Sequence, residues 1–182
     1  MTELMRTSGH VSGVANRPLP LRNAIRWIAR YDPHDIATVM LLAALVVVVL
    51  LTYRNYAISN DEGVQHHYGE LIIAYYTSGF RDQSLFSFQN LYLYGGMFDI
   101  VAVTLSHVIP IDPYDLRHIL CALIGIGGIG AAAATARLVG GPRAGLIAAI
   151  SLTLCGAWYG SMFNHTKDIP FAATMMGASL FL

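Results

Sequence analysis

Three runs of this sequence are long and apolar enough to be membrane spans: Ile36–Tyr53, Leu116–Leu138 and Ala144–Phe163. Each approaches the ~20 residues that a helix needs to cross the hydrocarbon core of a bilayer. A fourth run, Ile169–Leu182, starts another span and stops short of that length. Charged residues make up 12% of the chain and the mean hydropathy is +0.52, whereas a soluble domain carries about 25% charge. The expectation is an all-α, polytopic transmembrane helical bundle. Residues 1–35 would form a cytoplasmic basic arm and residues 36–182 a membrane domain truncated in its last span, as the N-terminal part of a longer protein.

The arm sets the direction of insertion. Arg6, Arg17, Arg22, Arg26 and Arg30 stand against the single acid Glu3 within the first thirty residues, and Lys and Arg collect on the cytoplasmic side. The run Ile36–Tyr53 exceeds a signal-peptide core of about 7–15 residues, so it reads as a retained anchor running outward. Net charge is zero, which leaves no bulk electrostatic argument for nucleic acid.

The segment Tyr92–Ile109 decides the rest of the topology. It is apolar, contains Asp99 and is followed by Pro110 and Pro113. Were it to cross, Arg137 and Arg143 would lie outside, against the charge rule. If it is a juxtamembrane or re-entrant helix, both arginines face the cytoplasm and Asp168 joins Asp61 outside. The second arrangement is preferred, with Gln65–Phe80 as another short amphipathic helix in the first external loop.

Several groups carry candidate chemistry. In Asp61-Glu62-Gly63, one carboxylate can take a proton from an acceptor hydroxyl while its neighbour orients it; a solvated loop start is the plainer reading. His66 shares a helical face with Glu62 and Glu70 if the helix begins that early, a weak metal signal against ordinary interfacial side chains. Asp99 needs a partner if buried, and Arg117 is the candidate, which would make a structural ion pair. Lys167 can meet a phosphate, whereas Asp168 and Pro170 suit a helix start. Asn164-His165-Thr166 is formally a glycosylation sequon that lies too close to the apolar runs to count as one. Gly125–Gly130 and the alanines after it read as a helix-packing surface rather than a dinucleotide loop. Cys121 and Cys155 lie in apolar runs and read as buried packing residues.

Taken in order, these pieces resemble a known arrangement. A basic N-terminus and one span lead to Asp61-Glu62-Gly63. A juxtamembrane helix and Tyr94-Gly-Gly-Met-Phe-Asp99 follow. Then come Asp115-Leu-Arg117, a Gly/Ala-rich span, the Arg137-to-Arg143 turn, another span, and Lys167-Asp168-Ile-Pro-Phe. The chain resembles the N-terminal part of polytopic GT-C-fold glycosyltransferases, near the family 39, aminoarabinose-transferase-like and protein O-mannosyltransferase-like branch. The resemblance covers residues 36–182.

It implies an enzyme of the bacterial inner membrane that transfers a sugar, with inversion, from a polyprenyl-phosphate donor to a lipid, glycan or protein acceptor outside the cytoplasm. Asp61 would match the general base, Glu62 would help to place the acceptor, and Asp168 would match the second external acid. Arg117 would match a residue near the donor phosphate, and Lys167, Asp99 and His66 would complete a substrate-binding set. Some relatives bind a divalent metal and others need none, so the resemblance leaves the cofactor open. The chain departs from many relatives in having Tyr94-Gly95-Gly96 where they have Lys-Pro-Pro, and the isolated piece would lack half its donor groove. The rival readings are a non-catalytic membrane scaffold and a fragment of an ion- or proton-coupled transporter.

Overall fold

The computed structural model describes residues 32–181, and most of the basic arm lies outside them. Among the described residues there are six α-helices, three short 3-10 turns and no strand. The helices are α1 (Pro33–Thr52), α2 (Asn60–Thr77), α3 (Met97–Ser106), α4 (Pro113–Leu154), α5 (Gly156–Asn164) and α6 (Asp168–Ala178). Two stretches, Pro33–Asn55 and Pro113–Leu154, are long and apolar enough to cross a membrane. Helix α2 starts five residues before the expected Gln65, because Ser59 and Glu62 form a capping box there. Within Tyr92–Ile109 only the ten residues of α3 are α-helical. At 1.5 Å per residue that is about 15 Å, half a hydrocarbon core.

Helix α4 is a hairpin. Gly141 has φ +79° and ψ −177°, and Pro142 follows it. Only glycine takes that backbone readily, and the proline starts the returning arm. The arms lie against each other closely enough that a Cβ on Gly145 would stand 2.9 Å from the Ala133 carbonyl oxygen. The chain then continues back through α5. A Cβ on Gly125 would meet Met162 at 2.7 Å, and the Trp158 indole N–H donates to the Gly125 carbonyl at 3.3 Å. Helix α1 runs antiparallel to the first arm as well. Asp35 pairs with Arg137 at 2.6 Å at one end, and Arg54 approaches Asp115 at 3.4 Å at the other.

These contacts put two ends on the bundle. Arg137 and the Gly141 turn share one end with Asp35. Tyr53, Arg117 and Thr166 share the other, because the Tyr53 carbonyl faces His118 and the Thr166 hydroxyl meets Arg117. The core between them gathers Leu45, Val49, Ile126, Ile129, Met162 and Phe163 around buried Cys121. Both cysteines are free. Cys155 differs from expectation: it is exposed, at the non-helical break between α4 and α5, where extended backbone carries it off the packed face.

The small residues of the Gly125–Gly130 stretch do not contribute equally. A Cβ on Gly128 would stand 2.8 Å from the Trp158 ring and 3.0 Å from the Ala173 methyl, whereas one on Gly127 meets nothing within 4 Å. Gly128→Val is therefore expected to cost about 1–3 kcal/mol through overpacking, whereas Gly127→Val, in open space, is expected to be near neutral or slightly stabilising, because valine is a better helix former than glycine. Unfolding of the detergent-solubilised variants by a graded denaturing detergent measures the difference.

Candidate functional site

The two acids that the sequence places in separate loops meet in one cleft. Asp61, in the first turn of α2, and Asp168, in the first turn of α6, both line a cavity of about 240 Å³ together with Gln65, Asn164, Thr166 and Lys167. A second cavity of about 590 Å³ opens beside it. Its walls are largely apolar, with Met97, Phe98, Val101, Leu120 and Ile124 among them, and it shares Thr166, Lys167 and Asp168 with the first. A polar cleft and an apolar groove thus adjoin at a single turn of chain.

Adjacent residues Asp61 and Glu62 have opposite surroundings. Asp61 is exposed, and no ion pair or hydrogen bond engages its carboxylate among the described residues. Glu62 is wholly buried. One of its oxygens accepts the Ser59 backbone N–H at 2.8 Å, and the other stands 3.0 Å from His118 Nε2. One oxygen is thus hydrogen-bonded and the other set against His118, and Glu62 does not line the cleft. It anchors the start of α2, from which Asp61 turns outward.

Asp168 is also open: its side chain is 83% exposed, with His165 Nδ1 at 3.5 Å. Lys167 lies between the two cavities, its amine 5.2 Å from the centre of the Tyr94 ring, a cation–π contact. The remaining residues singled out from sequence lie behind this surface. Arg117 is 0% exposed and its Nη2 stands 2.7 Å from Asp99 Oδ1. The same nitrogen donates to Thr166 Oγ1 at 3.1 Å and to Gln65 Oε1 at 3.3 Å. Burial pushes the Asp99 carboxyl up from its ordinary range, and the Arg117 guanidinium opposes that shift. Arg117 lines neither cavity.

His66 sits one turn after Glu62 but pairs with Glu70 at 3.7 Å instead, while Glu70 also meets His67 at 3.0 Å. Glu62 meets His118 instead. Among the described residues no group of three or more His, Cys, Asp or Glu side chains is disposed to hold a metal ion. Nothing in the sequence marks Gln65 and Thr166 as site residues. Gln65 gave no signal inside a polar helix, and Thr166 figured only as the last residue of the sequon Asn164-His165-Thr166. No protein-family model, curated protein or solved structure matches this chain.

Two outcomes check these assignments. Glu62→Ala removes the cap and leaves His118 without its acid, and breaking a buried pair costs roughly 3–5 kcal/mol. Asp61→Ala, at an exposed position, is expected to stay within about 0.5 kcal/mol; denaturation of both variants in detergent reads the contrast. His66 is held below its ordinary value of 6.5, chiefly by burial, with Glu70 pulling the other way. Its neutral form is favoured in the fold, so its contribution to stability declines as pH falls below 6.5. Glu70→Gln should lower the His66 midpoint further in a site-resolved imidazole NMR titration.

Proposed function

We propose that this chain contributes the extracytoplasmic acidic site of a multi-pass membrane glycosyltransferase, which moves a sugar from a polyprenyl-phosphate donor to a hydroxyl with inversion. The observation that carries the reading is the junction at Thr166, Lys167 and Asp168 between a polar cleft holding Asp61 and an apolar groove of about 590 Å³. A lipid-linked sugar is itself divided in this way: an apolar chain suits the groove, and a sugar phosphate suits the turn where a cation stands.

The topology supports the reading. With the bundle inserted by its two long helices, the end bearing Arg137 faces the cytoplasm by the charge rule, and the end bearing Asp61 and Asp168 faces outward. Helix α3 is too short to cross. Large apolar side chains such as Leu51, Val139 and Leu154 are more than 70% exposed, a surface suited to lipid or further helices. Tyr76, Phe80, Phe86 and Tyr92 are exposed beside the outward end, as aromatic residues of a membrane interface are.

In the proposed reaction the acceptor hydroxyl lies in the polar cleft. Its oxygen attacks the anomeric carbon from the face opposite the phosphate, and the carbon–oxygen bond to phosphate breaks with its electron pair leaving on the prenyl phosphate. Asp61, exposed and without a partner among the described residues, takes the hydroxyl proton as general base. Lys167 offsets charge building on the departing phosphate. Asp168 borders both cavities and holds the acceptor or the sugar hydroxyls. Arg117 and Glu62, being buried, act from behind this surface. A proton-relay reading is disfavoured by Asp99, which is 5% exposed and bound to Arg117.

Membranes containing the chain, supplied with undecaprenyl phosphate carrying a tritiated hexose or aminopentose, are expected to transfer label. Asp61→Asn should reduce the rate about 10²–10⁴-fold, the usual worth of a positioned base. Single cysteines at 61 and 168 should react with an impermeant thiol reagent from outside intact cells, and one at 140 should be protected. Protection of 168 together with labelling of 140 would sink the proposal.

A further inference from the structure

The polar cleft lies between two short segments. One wall is the first turns of α2, which carry Asp61 and Gln65, and the other is the turn that carries Thr166, Lys167 and Asp168. The residues lining the cleft are polar on both walls, and the two segments also meet just before the cleft, where the Tyr56 and Phe163 rings stack 3.6 Å apart. Gln65 and Thr166 reach under its floor to the same nitrogen, Arg117 Nη2. The Thr166 hydroxyl accepts from Arg117 and donates to Gln65 Oε1. A directed chain therefore runs from α4 through the Thr166 turn into α2. Asp99, from α3, fixes the guanidinium from the far side at 2.7 Å, and its Phe98 neighbour covers it, with the ring centre 5.2 Å from the guanidinium carbon.

We propose that Arg117, Thr166 and Gln65 form a clamp that sets the separation of the Asp61 and Asp168 walls, with Arg117 acting as a positioning residue through the other two. The argument rests on burial and valence. Arg117 is 0% exposed, and Gln65 and Thr166 are 4% and 2% exposed. The two N–H bonds of Nη2 are shared among three acceptors drawn from three segments. Buried polar groups linked in this way hold one another to a narrow range of positions, since an opened link leaves a desolvated donor or acceptor unpaired. Cleft width then depends on this buried network, four residues along α2 from Asp61 and two before Asp168. The clamp does not depend on what the cleft binds or transfers.

Spin-label pairs test it without any transfer assay. Cys155 is replaced by serine, buried Cys121 is kept, and nitroxides are placed at Asp61→Cys and Asp168→Cys in the full chain. A second pair, Val39→Cys and Leu138→Cys, reports on the opposite end of the bundle. The cleft pair is expected to show strong dipolar broadening. Thr166→Val, which keeps the side-chain shape without the hydroxyl, and Gln65→Leu should each abolish much of that broadening and leave the control pair unchanged. Thr166→Ser, which restores the hydroxyl, should recover it. Broadening that persists in Thr166→Val overturns the clamp. So does a loss of broadening at both pairs together, since the network would then hold the bundle in general. Failure of Thr166→Ser to rescue overturns it as well.

Discussion

A guanidinium cannot lose its charge in a protein, so burying Arg117 completely obliges the fold to bring acceptors to it. A lone buried ion carries a desolvation penalty of several kcal/mol. Asp99 answers the charge, and with Gln65 and Thr166 it shares the two N–H bonds of a single nitrogen, Nη2, while Nε and Nη1 have no acceptor among the described residues. Those three residues come from α2, from α3 and from the turn between α5 and α6. Each of those segments is therefore tied to α4 at the same level of the bundle. This accounts for the behaviour of α3: a short apolar helix carrying an acid is held by that acid against the end of a longer helix.

The meeting at Arg117 depends in turn on contacts far from it. The Thr166 turn arrives at the right height because the chain reverses at Gly141 and returns along the first arm of α4 in antiparallel register. Ala133 lies against Gly145, Gly125 against Met162, and Arg117 against Thr166. Gly145 permits the close approach of the two arms of α4, and Gly125 and Gly128 permit that of α5 and α6 to the first arm. A shift of one helical turn in this packing would move Thr166 by about 5.4 Å and take it out of reach of the guanidinium. Small residues in the apolar core thus set the geometry of the polar end.

Much of the bundle is visible in the sequence, because long apolar runs, prolines and a Gly-Gly-Pro turn leave few alternatives. The placement of arginines argues against Tyr92–Ile109 crossing, and α3 within it has only ten residues; the partner of Asp99 follows from the cost of an unpaired acid. Other features left no such trace. The early start of α2 depends on Ser59 and Glu62 satisfying each other, and a capping residue reads like any loop residue until its partner is in place. Glu62 and Asp61 look alike as neighbours in a chain, yet one faces His118 and the other solvent. Gln65 and Thr166 carry no charge and form no motif; their role exists only where antiparallel packing brings positions 101 residues apart into hydrogen-bond contact. The exposure of Cys155 depends likewise on a break in α5's approach that apolar composition alone does not mark.

The contrast between Asp61 and Glu62 bears on the proposed chemistry. A general base must be free to approach its substrate, yet held closely enough that approach is frequent. One carboxylate cannot satisfy both demands if its own oxygens are used as anchors. Here the anchoring falls to Glu62, one oxygen of which accepts the Ser59 N–H while the other lies 3.0 Å from His118 Nε2. Asp61 has its backbone fixed by that neighbour, while its side chain is exposed and engages no partner among the described residues. The opposite wall divides the work in the same way, with Thr166 bound below and Asp168 open above. Each wall of the cleft therefore has an acid made available by an adjacent or nearby residue that is not, and both buried residues lead back to the first turns of α4.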